Sequence, residues 1–404
     1  MTLDVHYLEL NLTGYGTHGL RLAKANGHRT HLVSRSPEDY RRLDPDPLPL
    51  LDSVTTVDTY DLVKLMYHFS ANPPQAVIAF DDYRVVQAAM IAEQFGLPGA
   101  AVAGILNCRF KDLARRRTAG IGRQPAWVTR PVDRPGDTSP IGYPCVVKPI
   151  DDSASTGVHV CCTDEEYRAA FGSAIDHATH ARGYRCVERL LVEEYLEGPE
   201  FSAELVWDGV REEWAFVGLT RKLTSGPPLC YETGHVFPYS LGYSLDAEIR
   251  RTVLAWLAAV GHRNGAAHVE FRLVDGVPAL MEINPRVGGD RIRDLVERAL
   301  GIDLIDLYQS LYTGAPRPVE IPDTKRFAAV RFIAPSRLDG IRGVRGPNDP
   351  GPGVVSSLVS APAPGSKPLR PGSRLGHVLT EAADPGTALA IADEFADGVR
   401  IEYS

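Results

Sequence analysis

The sequence predicts an α/β unit followed by a larger α+β body. In the first hundred residues strand-like and helix-like stretches alternate, which implies a parallel sheet with helices on its faces. From residue 143 onward strand-like runs follow one another with fewer helices between them.

Taken in order, VHYLEL reads as a strand, HGLRLAKANG as a helix closed by Gly27, and THLVS as a second strand. DPDPLPL (44–50) is a Pro-rich loop, AVIAF a strand, and YRVVQAAMIAEQFG a helix closed by Gly96. CRFKDLARRR forms a basic helix and connection, with Lys111 and Arg115 four apart on one face. YPCVVKPI, GVHVCC, the acidic-started helix DEEYRAAF and LLVEEYL follow. Next come further strands, a long helix over 246–263, a hairpin and another helix. The Pro- and Gly-rich tail holds strand-like FAAVRFIA, VVSSLVSA and HVLTEA, then the helix PGTALAIADEFADG and a short strand VRIEYS. The units divide at 1–105, 106–142 (a linker helix and connection), 143–197, 198–315 and 316–404, with no internal repeat.

The 404 residues suffice for two or three units with substantial cores. A hydrophobic fraction of 44% and a charged fraction of 23% belong to an ordinary globular protein. A formal net charge of -8 argues against a general nucleic-acid grip or a polybasic membrane patch. MTLDVHYLELNLTGYG lacks the basic-then-apolar order of a signal peptide, and no apolar run reaches the roughly 20 residues of a membrane span. The six cysteines show no Cys-x-x-Cys spacing, and several lie in apolar runs, which suits small core residues and not disulfides. A cytoplasmic location is the expectation.

Gly14, Gly16 and Gly19 form a G-x-G-x-x-G between a strand and a helix, the setting of a dinucleotide fingerprint. The second strand ends at Val33-Ser34-Arg35, with no acid to hold a ribose, although Arg35 could meet a 2′-phosphate. Glycines also serve a tight turn and close helix–sheet packing in any doubly wound unit.

The strongest signal is HVEFRLVDGVPALMEINPRVGGD, two strand-like runs flanking Asp275-Gly276. If Val269, Phe271 and Leu273 share a face with Ala279, Met281 and Ile283, then Phe271 faces Met281 across an odd-numbered loop. That register sets Glu270 across from Glu282, with Asn284 on the same face. Cross-strand Cβ atoms lie about 5 Å apart, so the two carboxylates repel unless something positive lies between them. Oxygen donors of this kind suit Mg2+, whose remaining positions go to water and substrate phosphates.

Lys148 ends the apolar strand CVVKP, and the turn DDSASTGVHV after it can present backbone N–H groups to phosphates. LLVEEYLEGPEFSAE (190–204) is an apolar strand that breaks into acids and a Gly-Pro turn. Such a strand end can offer donors and acceptors to an adenine, with acids near a ribose.

Together these pieces resemble the ATP-grasp superfamily, and within it the L-amino-acid ligase (dipeptide synthetase) group, over nearly the whole chain. The resemblance implies an ATP-grasp fold: a Rossmann-like pre-ATP-grasp domain (1–105), a small lid subdomain (143–197), a central subdomain (198–315) and a C-terminal extension packed on them. It implies ATP and Mg2+ or Mn2+ as cofactors, two ions in all, held by Glu270, Glu282 and Asn284. Lys111 and Lys148 match the family's phosphate lysines, with Ser153, Ser155, Thr156 and Gly157 in the phosphate loop. Glu193, Glu194, Tyr195 and Leu196 match its adenine hinge, and Glu200 falls near the ribose acid. In RKLTSGPPLCYETGHVFP (221–238), Glu232 and His235 match its substrate pocket, and Arg286 faces the reacting carboxylate beside Gly289.

The resemblance further implies that a carboxylate attacks the γ-phosphorus of ATP, and that an amine displaces phosphate from the acyl phosphate so formed. The partners are then small carboxylates and amines, amino acids among them, with a homodimer possible. A carrier-protein acceptor and, more remotely, an NADP-dependent oxidoreductase built on the glycine fingerprint are the alternatives. A catalytically idle nucleotide-binding module is a third.

Overall fold

The computed structural model describes all residues except 154, 177–182 and 364–367. Ala154, inside the turn read as a phosphate loop, therefore lies outside the described residues.

The alternation at the N-terminus becomes a four-stranded parallel sheet of β1 (Asp4–Leu8), β2 (Arg29–Ser34), β3 (Ser53–Thr56) and β4 (Ala76–Ile78), in the order β3-β2-β1-β4. The central strand β1 and the edge strand β4 are buried along nearly their whole length. The G-x-G-x-x-G turn caps the first helix, and packing accounts for its glycines. Gly14 adopts φ +91°, while a Cβ on Gly16 would meet Leu10 at 2.8 Å and one on Gly19 would meet Phe80 at 2.7 Å.

A second sheet is antiparallel, with β5 (Trp127–Pro131), β6 (Cys145–Pro149), β7 (His159–Cys161) and β8 (Arg189–Glu194) in the order β5-β8-β6-β7. β5 falls inside the segment read from sequence as a linker; pairing of Trp127 with Glu193 makes it an edge strand of this sheet.

The third and largest sheet has eight strands. From β9 (Glu200–Asp208) the chain adds β10 (Glu213–Thr224), β11 (Glu232–Phe237), β12 (Ala266–Val274), β13 (Val277–Asn284) and β14 (Phe327–Ile333). β15 (Ile341–Arg345) pairs with β18 (Arg400–Tyr403) in a separate ribbon, whereas β16 (Val354–Val359) and β17 (Gly376–Ala382) complete the large sheet. The order is β13-β12-β9-β10-β11-β14-β17-β16, so the C-terminal extension prolongs the sheet as well as packing on it. A long helix, Tyr243–Val260, covers one face and ends at Gly261 in a left-handed cap (φ +73°).

The Asp275-Gly276 hairpin differs from the sequence expectation in an instructive way. Both turn residues have positive φ (+52° and +77°), so β12 and β13 are joined by a two-residue turn and not by an odd-numbered loop. Glu270 still faces Glu282, because the register shifts between Glu270 and Phe271 and Phe271 faces Leu280. Met281 is the extra residue of a β-bulge. Leu280 and Ile283, not Met281, share the core with Phe271, Val269 and Trp256.

Trp256 is fully buried in that core, and its Nε1 donates to the Ile121 carbonyl at 2.8 Å. Trp256→Ala is expected to destabilise the chain by about 3–5 kcal/mol, read as a lowered urea midpoint in circular dichroism.

Candidate active site

A cavity of about 400 Å³ lies where the three sheets meet. Almost every site residue expected from sequence lines it: Lys111, Lys148, Ser153, Ser155, Thr156, Glu193, Glu194, Tyr195, Leu196, Glu200, Glu232, His235, Glu270, Glu282, Arg286 and Gly289. Two join from its margin. Asn284 donates its side-chain N–H to Glu282 Oε1 at 2.9 Å, and Gly157 (φ +69°) turns the chain back into β7 after Ser155 and Thr156.

Strand pairing explains the acidic wall. Glu270 and Glu282 are direct partners on β12 and β13, and each is neutralised by a protein cation. Lys222 Nζ lies 2.6 Å from Glu270 Oε2, and Lys111 Nζ lies 3.3 Å from Glu282 Oε2. Burial opposes ionisation of Glu270, but Lys222 and His268 outweigh it and bring its pKa down to about 2. Burial likewise opposes ionisation of Glu282, and Lys111 with the Asn284 hydrogen bond brings it to about 2. Two facing carboxylates kept anionic in a buried place fit a hard divalent cation such as Mg2+ or Mn2+.

The other carboxylates are arranged by the same rule. Lys222 contacts Glu232 Oε1 at 2.7 Å and Glu200 Oε1 at 3.4 Å as well as Glu270, and the oxygens of these three glutamates lie within 4.8 Å of one another. Arg272 holds the other Glu200 oxygen at 3.1 Å and donates to the Leu196 carbonyl at 2.6 Å. Glu193, matched to the adenine hinge, turns its carboxylate to Lys148 (2.5 Å) and Arg115 (3.0 Å). It thus steadies Lys148. Burial lowers the Lys148 pKa against the attraction of Glu193. Two hinge amides are already bonded within the protein, Glu194 N–H to the Ala126 carbonyl and Tyr195 N–H to the Pro144 carbonyl. Arg115 also donates to the carbonyl of the bulged Met281 at 2.8 Å, tying the basic helix to the hairpin.

His235 sits on β11 opposite Lys222. It is fully buried, and burial lowers its pKa to about 3, so the ring is neutral. Neither ring nitrogen has a hydrogen-bond partner.

Several residues escaped the sequence reading because chain distance hides them. Asp82, just beyond the parallel sheet, accepts from Arg286 Nε (2.8 Å) and Nη2 (2.6 Å) on one oxygen. Tyr15, inside the glycine fingerprint, donates its hydroxyl to the Gly288 carbonyl at 2.8 Å, so that turn borders the cavity. Arg374, from the C-terminal extension, stacks on Phe332 (3.6 Å) and reaches Asp290 (2.8 Å) and Glu232 (3.3 Å). Burial and the neighbouring Glu232 raise the Asp290 pKa. The buried pair Glu204 and His268 stands behind Glu270. Of these, only His268 had a local signal, two residues before Glu270 on one strand face.

Among known proteins, residues 141–294 match the family model of the ATP-grasp domain, and the chain has the ATP-grasp fold. It resembles the crystal structure of L-amino acid ligase from Bacillus licheniformis, with a TM-score of 0.81 at 20% identity over 100% of this chain and 99% of the other. Among sequences, an uncharacterized protein of Sinorhizobium fredii is 28% identical over 373 residues, 86% of this chain and 73% of the relative. Carnosine synthase 1 of Gallus gallus is 26% identical over 346 residues, which is 80% of this chain but only 36% of that protein. Among the described residues no helix is long and apolar enough to cross a membrane.

Replacing Lys222 leaves three converging glutamates without their shared cation. Lys222→Met is expected to destabilise the chain by about 3–5 kcal/mol. Millimolar Mn2+ is expected to recover much of the lost thermal midpoint in differential scanning fluorimetry, and to shift the wild type far less.

Proposed function

We propose that this chain is an ATP-dependent carboxylate–amine ligase that forms an amide, a peptide bond being the favoured product, through an acyl phosphate with release of ADP and phosphate. The observation that carries the reading is the facing pair Glu270 and Glu282 in a cavity that also receives Lys111, Lys148 and Arg286. The likenesses to L-amino acid ligase and carnosine synthase support an amino acid as a substrate.

Glu270, Glu282 and Asn284 would hold Mg2+, which neutralises phosphate charge during transfer. Phosphoryl transfer depends on positioning and charge neutralisation. Lys148 and Lys111 serve both by exchanging their present partners, Glu193 and Glu282, for phosphate oxygens. Ser153, Ser155, Thr156 and Gly157 close over the phosphates, and the strand end Glu193–Leu196 receives the adenine with Glu200 near the ribose. Arg286, fixed by Asp82, faces the reacting carboxylate, and it and the backbone near Gly289 stabilise the oxyanion formed when the amine attacks. Glu232 and His235 line the substrate end. Burial makes the neutral imidazole a weak base, so its unpartnered nitrogens serve to hydrogen-bond the substrate and not to take the ammonium proton.

The test is ADP and phosphate release from Mg-ATP against pairs of amino acids, with Glu282→Ala as control. Pair-dependent release in the wild type is expected, with a loss of at least ~100-fold in the control, about 2.7 kcal/mol of transition-state stabilisation. Release that needs an aminated carrier protein in place of a free amino acid would move the acceptor to that class.

A further inference from the structure

We infer that His268, held from behind by Glu204, is the positioning residue for Glu270. The inference rests on reading Glu270 as a metal ligand. The three side chains form one continuous line. Glu204 and His268 are direct partners across β9 and β12, and Glu270 follows His268 two residues later on the same face.

Glu204 is 1% exposed, and every contact it makes fixes its orientation. It accepts from Ser202 Oγ at 2.7 Å and Thr220 Oγ1 at 3.0 Å, and its two oxygens lie 3.1 and 2.9 Å from His268 Nδ1. The opposite ring nitrogen, Nε2, lies 2.9 Å from Glu270 Oε1. With a carboxylate at each nitrogen, the imidazole cannot rotate without breaking both contacts. The ring is also backed by the glycine loop: a Cβ on Gly288 would stand 2.8 Å from Glu204 Oε2 and 2.9 Å from His268 Nδ1.

The consequence falls on Glu270. His268 holds Oε1 and Lys222 holds Oε2 at 2.6 Å, so Oε2 is the oxygen that an exchange of Lys222 for a metal ion frees. A carboxylate tethered at one oxygen has a single orientation to offer, whereas an untethered glutamate spreads over several rotamers. Partners that orient a metal ligand are typically worth 10–100-fold in metal affinity.

The experiment uses the full chain with Mn2+ as probe and ADP as nucleotide, counting free Mn2+ by electron paramagnetic resonance. His268→Gln combined with Glu204→Gln keeps a donor at the reach of Nε2 and an amide behind it without a stranded charge, and is expected to stay within a few-fold of wild type. The double variant Glu204→Leu with His268→Leu removes the tether without stranding a buried charge. Its Mn2+ dissociation constant in the presence of ADP is expected to rise roughly 10–100-fold, with metal-free ADP affinity and the far-ultraviolet spectrum unchanged. A folded Glu204→Leu, His268→Leu variant that binds Mn2+ as tightly as wild type overturns the inference. Glu270→Gln separates the two levels. If it too leaves Mn2+ binding intact, Glu270 is no ligand and the metal reading of the hairpin falls with the tether. If it abolishes binding while the Glu204→Leu, His268→Leu variant does not, the tether alone is wrong.

Discussion

The opposition of Glu270 and Glu282 is the constraint around which the rest of the site is arranged. Two buried carboxylates on adjacent strands repel strongly at low dielectric unless cations compensate them. The chain supplies those cations from distant segments: Lys222 from β10 and Lys111 from the basic helix, with Lys148 close enough to depress Glu282 as well. Each cation then needs its own geometry. Lys148 is steadied by Glu193, which is shared with Arg115, and Arg115 returns to the hairpin through the Met281 carbonyl. The bulge at Met281 therefore has a double effect. It keeps the two glutamates opposite each other behind a two-residue turn, and it brings Met281, as well as Glu282, to the cavity.

Three long-range contacts converge on the short stretch after the hairpin. Asp82 of the N-terminal unit grips Arg286, Tyr15 of the same unit holds the Gly288 carbonyl, and Arg374 of the C-terminal extension pairs with Asp290. Asp290 and Arg291 both adopt left-handed backbone (φ +50° and +69°), a conformation costly for residues with side chains and kept only where the surroundings enforce it. The N-terminal unit and the extension thus do more than cover the nucleotide-gripping body. They set the conformation of the loop that lines the cavity.

Much of this was legible in the sequence where the signal was local. Alternation gave the parallel sheet, Asp275-Gly276 marked the hairpin, and the spacing from Glu270 to Glu282 placed both acids on one face. What escaped detection depends on tertiary pairing. β5 has too little apolar pattern to stand out from a linker, and only its pairing with β8 defines it. The bulge is invisible because strict alternation is the default expectation for a strand. Asp82 and Arg374 are ordinary charged residues until the fold carries them across 204 positions to Arg286 and 84 positions to Asp290.

The internal ion pairs also suggest how the site exchanges one set of charges for another. Among the described residues, Lys111 and Lys148 at the cavity each have a carboxylate, and Glu270 and Glu282 of the proposed metal site each have a cation. A nucleotide carrying divalent ions brings both signs at once, so its phosphates can take the lysines while its metal takes the glutamates, and no buried charge is left alone. A free nucleotide without metal, or a metal without nucleotide, would strand one half of these pairs in a buried place. On the proposed reading, the charge arrangement would favour the metal–nucleotide complex over either component, a selectivity built from the protein's own pairing and not from any one contact to the ligand.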